Sequence, residues 1–67
     1  MELVRVAGAC ASGACPTVFS TDGDDVVVQG YVVHDQMIQD GLPQGEAVVR
    51  LPRSVILEAA GALAAER

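Results

Sequence analysis

The sequence predicts an α+β fold, a small antiparallel sheet of three to four strands with one C-terminal helix, in a single domain spanning residues 1–67. Three observations carry this expectation. A β-branched segment, Thr17 to Thr21, meets a valine-rich one, Val26 to Val33, across Asp22-Gly23-Asp24-Asp25, which is the pattern of a hairpin. A further apolar run, Ala47 to Leu51, is stopped by Pro52. Beyond Pro52, helix formers dominate as far as Ala65.

Taken in order, Leu3 to Val6 alternate and form the expected first strand, with Arg5 toward water. Ala7 to Ala14 is made of small residues whose glycines permit close backbone approach or positive φ, so a loop is expected there, closed by Pro16. Asp22-Gly23 is expected to supply the positive φ of a tight hairpin turn. The return strand carries Val26, Val28, Gly30 and Val32 on one face and Val27, Gln29, Tyr31 and Val33 on the other. Both faces are largely apolar, as in a central strand or one covered from both sides. Gly30 in mid-strand predicts a bulge or a close neighbour.

His34 to Gly41 is polar around Met37 and Ile38, suits a helical turn or an irregular connection, and is expected as a loop. Leu42-Pro43-Gln44-Gly45-Glu46 reads as a turn, with Pro43 at its second position and Gly45 tolerating φ above zero. Pro52 or Ser54 suits the start of the terminal helix. Val55 or Ile56, Ala59, Ala60 and Leu63 fall at helical spacing on the face that should cover the sheet.

Composition bounds the function. A chain of 67 residues buries only about 60% of its unfolded surface. With 51% apolar residues but only Phe19 and Tyr31 as aromatics, its core is aliphatic and light. Domains of this size seldom draw more than about 3–5 kcal/mol from a core and add a disulfide, a metal or a second subunit. One such staple is expected. Nine acids, four arginines and no lysine give a net charge of −5. Phosphate backbones and anionic membranes are bound by clustered cations, so neither nucleic acid nor a membrane surface is an expected partner. Leu3 to Val18, the longest apolar-leaning stretch, is broken by Arg5, Ser12, Gly13 and Pro16, so no spanning helix is expected. Ala7-Gly8-Ala9-Cys10 has the small residues that precede a lipoprotein cysteine. The nine residues before Cys10 include Arg5 and leave no apolar signal core, so a cytoplasmic protein is expected.

Cys10 and Cys15 stand at a Cys-x4-Cys spacing. A zinc site needs three or four ligands, and beyond this pair the chain offers only His34 and carboxylates. A redox dithiol favours Cys-x-x-Cys at a helix N-terminus. A disulfide would close the loop but is opposed by a reducing cytoplasm. The simplest expectation is two reduced cysteines serving as small apolar residues. His34 is expected as a solvent-facing residue at a strand end, since no motif places a nucleophile for it to activate. Asp22, Asp24 and Asp25 begin like a calcium loop, but its twelfth position is Val33 where a Glu is required. The glycines form neither a phosphate-binding nor a dinucleotide motif. No catalytic residues, no cofactor and no metal are therefore expected.

Gly45-Glu46-Ala47-Val48-Val49-Arg50-Leu51-Pro52-Arg53-Ser54-Val55 resembles the strand–proline–helix unit of the AbrB-type swapped-hairpin transcription factors. That resemblance implies an interleaved dimer, although this chain lacks the basic face those factors use on DNA. More of the chain is similar to a set of small actinobacterial proteins of no established activity. The shared segments are Cys15-Pro16-Thr17-Val18-Phe19, Val27-Val28-Gln29-Gly30, Leu42-Pro43-Gln44-Gly45-Glu46 and Val49-Arg50-Leu51-Pro52. The occurrence of such proteins beside helix-turn-helix regulators implies an accessory role in transcriptional regulation.

The function expected from these readings is a small non-catalytic protein-interaction module, binding a protein partner or itself as a homodimer. Its surface is expected around Val27, Gln29, Tyr31 and Val33, with Tyr31 as the anchor. The alternative is a redox- or metal-responsive switch through Cys10 and Cys15.

Overall fold

The structure, a computed structural model, describes residues 1–8 and 15–66. Its elements are β1 (Val4–Ala7), β2 (Thr17–Ser20), β3 (Val26–Gln29), β4 (Tyr31–Val32), α1 (Gln36–Asp40), β5 (Val49–Arg50) and α2 (Arg53–Ala65). The α+β class holds, with α2 as the C-terminal helix. The strands divide into an antiparallel β1-β2-β3 sheet and a separate two-stranded β4-β5 sheet.

β2 and β3 pair from Thr17↔Gln29 to Ser20↔Val26, forming the expected hairpin. Its connection is not a tight Asp-Gly turn, because among the described residues φ is positive only at Gly8 and Gly45. Thr21 closes a longer loop instead. Its Oγ1 accepts from the Gly23 N–H at 3.1 Å and donates to the Asp25 carbonyl at 2.7 Å, the local bonding with which threonine competes for turn backbone. β1 pairs with the other side of β2, with its register shifted between Arg5 and Ala7. This bulge brings both Val6 and Ala7 toward the core.

The strand expected over Val26 to Val33 is broken at Gly30. A Cβ placed on Gly30 would lie 2.6 Å from the Arg50 carbonyl oxygen and 3.2 Å from the Leu51 side chain. The close neighbour expected at this glycine is therefore present. The chain leaves one sheet at this point and enters the other. The strand expected over Ala47 to Leu51 is reduced to Val49–Arg50, although the Val33 N–H donates to the Val48 carbonyl at 3.1 Å and extends the pairing by one bond.

The core is formed by Ala7, Val18 and Ala59, with Val6, Leu51 and Val55 packed around them. α2 lies over β1 and β2, and Ala59 is its one buried residue. Val55 and Leu63 are half-buried beside it, whereas Ile56 and Ala60, expected on the covering face, are exposed. The helix starts after Pro52, whose carbonyl accepts from the Val55 N–H, and no side chain caps it. Ser54 does not serve as the cap.

This core is small for the surface around it. The chain exposes 5099 Å², whereas a folded monomer of 6.9 kDa is expected to expose about 4,000 Å². Its radius of gyration is 13.2 Å with extents of 37 × 25 × 20 Å, against about 11 Å for a compact chain of this length. Among the described residues eleven large apolar side chains are exposed, while the buried apolar ones are Ala7, Val18 and Ala59. Much of the apolar content therefore lies on the surface.

Candidate functional site

The segment between Gly30 and Leu51 forms an arm built on the β4-β5 pair, with Tyr31↔Arg50 and Val32↔Val49 in register. Tyr31 and Arg50 also meet through their side chains, the guanidinium carbon lying 5.1 Å from the ring centroid. At that distance a cation–π contact on an exposed surface is worth about 0.5–1 kcal/mol. It links the two strands of the arm through a ring that stays half exposed.

Beyond Val33 the segment expected as a loop contains the short helix α1. Asp35 nucleates it, its carboxylate accepting from the Met37 N–H at 2.9 Å, which satisfies an N–H that the helix itself cannot. Gln39 donates from its side chain to the Val33 carbonyl, and Gln36 donates to the Asp40 carboxylate at 2.7 Å. The return to β5 passes through a turn in which the Glu46 N–H donates to the Pro43 carbonyl at 3.2 Å. Gly45 takes φ +90°, as expected, although Pro43 occupies the first position of this turn and not the second.

These local bonds hold an apolar surface outward. Met37 is 87% exposed, Val32 53%, Tyr31 51% and Ile38 39%. Asp35, Asp40 and Glu46 are exposed on the same arm. Exposed apolar side chains and acids thus lie together on the arm, Tyr31 and Val32 on opposite faces of β4 and Met37 and Ile38 on α1.

The four residues expected to share a surface are divided by the break at Gly30. Val27 is half-buried opposite Phe19 in the three-stranded sheet. Gln29 is exposed, and its side-chain amide donates to the Cys15 carbonyl at 3.1 Å. Tyr31 and Val33 belong to the arm, Tyr31 exposed and Val33 half-buried. Sequence reasoning thus singled out Tyr31, which is exposed on the arm, and left out the equally exposed Val32, Met37 and Ile38. The available signal was Asp35, a good helix-capping residue directly before them.

Comparison with known protein families, curated proteins and solved structures found no match.

Cys15 is disulfide-bonded, which overturns the expectation of a reduced cysteine at this position. The sequence's other cysteine, Cys10, lies outside the described residues. The stem of the cysteine loop is held tightly. Thr17, buried, donates its hydroxyl to the Cys15 carbonyl at 2.8 Å, with the Gly8 carbonyl at 3.5 Å. The Gly8 N–H donates to the Glu58 carboxylate of α2 at 3.4 Å. Gly8 itself takes φ +84°, and a Cβ there would lie 2.2 Å from the Pro16 carbonyl oxygen. The stem, the sheet and α2 are thereby tied together.

An open pocket of about 420 Å³ lies between the β2–β3 loop and the end of α2, lined by Ser20, Thr21, Gly23, Asp24, Asp25, Val26, Leu63 and Glu66. Asp24, Asp25 and Glu66 are exposed and solvated. Among the described residues no three His, Cys, Asp or Glu side chains are grouped to hold a metal ion. His34 is exposed two residues beyond β4, in keeping with the solvent-facing position expected for it. No described helix is long and apolar enough to cross a membrane.

Proposed function

We propose that this chain is a small non-catalytic protein-interaction module whose binding surface is the arm from Tyr31 to Arg50. The observation that carries the reading is the outward display of Tyr31, Val32, Met37 and Ile38 on an arm ordered by its own hydrogen bonds. Leaving such side chains in water forfeits the stabilisation of about 1.5–3 kcal/mol that full burial of each would bring. A chain with so light a core recovers that energy when another protein covers the arm. An accessory role in regulation is the setting implied by the similarity to small actinobacterial proteins. The acids on the rim favour a partner surface that carries basic groups.

Capture of the tagged protein from lysate of its host, followed by mass spectrometry, tests the reading. The intact chain is expected to retain a reproducible partner that Tyr31→Ala and Met37→Asp lose by about tenfold or more. Both positions are exposed, so both variants should keep the wild-type circular dichroism spectrum. Equal capture by all three proteins would contradict the assignment of the surface.

A second reading, a redox-responsive switch, is favoured by the disulfide at Cys15. In that reading reduction releases the stem and alters what α2 and the arm present. A metal response would require prior reduction, since the thiolate is the ligand. Partner capture that is identical with and without a dithiol reductant would sink this reading.

A further inference from the structure

We infer that the pocket between the β2–β3 loop and the end of α2 binds a small organic cation, an alkyl chain bearing two or more ammonium groups. The site is independent of the arm and of whatever covers the arm.

Ser20 is the residue that marks this pocket as a site. Two positions after Val18 on an unbulged strand, its side chain falls on the same face of β2 as Val18, the face over which α2 packs. Ser20 is 8% exposed and lines the pocket. Its hydroxyl makes no hydrogen bond among the described residues, whereas the neighbouring Thr21 hydroxyl is committed to Gly23 and Asp25. No fully enclosed side-chain oxygen or nitrogen is left without a partner, so the Ser20 oxygen keeps its remaining contact through the pocket. A nearly buried hydroxyl without a partner forgoes a hydrogen bond that a ligand can supply.

The walls of the pocket are anionic. Asp24 and Asp25 come from the loop and Glu66 from the end of α2, and among the described residues none of these carboxylates is in an ion pair. The last turn of α2 carries no basic side chain, although its final carbonyls lack helical donors and form the negative end of the helix.

Two observations select the kind of cation. The three carboxylates are not grouped as a metal ion requires, so one point charge does not satisfy them together. Val26, 45% exposed, and half-buried Leu63 give the same pocket an apolar lining. A polyamine carries separated charges joined by methylenes. Its ammonium groups reach the acids of the loop and of the helix, the methylenes lie on Val26 and Leu63, and the Ser20 oxygen accepts from one ammonium. The volume of about 420 Å³ is that of a small-molecule site.

Titration of the isotope-labelled chain with spermidine at constant ionic strength, followed through its amide resonances, tests the inference. Shifts are expected to saturate in the sub-millimolar range and to concentrate at Gly23, Asp24, Asp25, Leu63 and Glu66. Ser20→Ala is expected to weaken binding about tenfold, the loss of one hydrogen bond to a charged group. The same variant should unfold at a Tm no lower than the wild type, since the hydroxyl it removes has no partner, and this separates a lost ligand contact from a damaged fold. Asp24→Asn combined with Glu66→Gln should weaken binding about tenfold or more, and Glu46→Gln on the arm should leave it unchanged. Shifts spread evenly over the acids of the whole chain overturn the inference, as does a Ser20→Ala affinity equal to that of the wild type. Magnesium ion that reproduces the same localised, saturating shifts overturns the choice of an extended cation.

Discussion

Gly8→Ala should leave the protein largely unfolded at 37 °C. Two costs fall on the same atom. The backbone at φ +84° is one that alanine adopts at an expense of about 1–2 kcal/mol. The new Cβ would also sit 2.2 Å from the Pro16 carbonyl oxygen and 3.0 Å from the Thr17 Cα, both main-chain atoms that cannot swing aside. Relieving the clash means parting the two strands of the stem, which loses the Thr17 hydroxyl bonds and the Gly8 bond to Glu58. A loss of about 3 kcal/mol or more is expected from steric strain of this kind, which is most of the about 3–5 kcal/mol available to a core of this size. Thermal unfolding followed by circular dichroism should show Tm lowered by at least about 12 °C. A fall of less than about 4 °C, or about 1 kcal/mol, would mean that the stem is not the clamp described.

Opening the disulfide should produce the second-largest effect. With Ala7, Val18 and Ala59 forming the buried apolar core among the described residues, the constraint on the unfolded chain is a substantial share of total stability. Reduction, or Cys15→Ser, is expected to cost about 2 kcal/mol, the low end of the usual range. The corresponding fall in Tm is about 8–16 °C. The Cys15 carbonyl keeps its bonds from Thr17 and Gln29 in the variant, so the β2-β3 hairpin should survive with native amide protection. A stability unchanged by reduction would show that the bridge does not staple the domain. Lower stability with unaltered partner capture would assign it a structural role and set the redox reading aside.

The sequence pattern made the β2-β3 hairpin and α2 legible because each has a strong local signal. β-branched residues flank an acid-glycine loop in the first, and helix formers follow a proline in the second. Gly30 was legible as a close-approach site, since a mid-strand glycine has few other reasons to be there. Its consequence was not, because alternation continues unbroken through Val33 while the chain passes from one sheet to another, a tertiary event that periodicity does not record. α1 was missed because five residues are too few to establish a helical period, although the Asp35 cap preceded it. At the candidate site, Tyr31 stood out as one of two aromatics, but the exposure of Met37 and Ile38 depended on that missed helix. The oxidised state of Cys15 was not legible either, since Cys-x4-Cys suits several chemistries and a reducing compartment favoured free thiols.

On the proposed function, another protein covers the arm in the cell. This is tested most directly by placing a photo-crosslinking amino acid at Met37, on the arm, and separately at Asp24, in the β2–β3 loop, and irradiating living cells. Met37, 87% exposed in α1, is expected to yield a discrete adduct of another protein, absent from the Asp24 sample. No adduct at Met37, or the same diffuse pattern from both positions, would contradict the account.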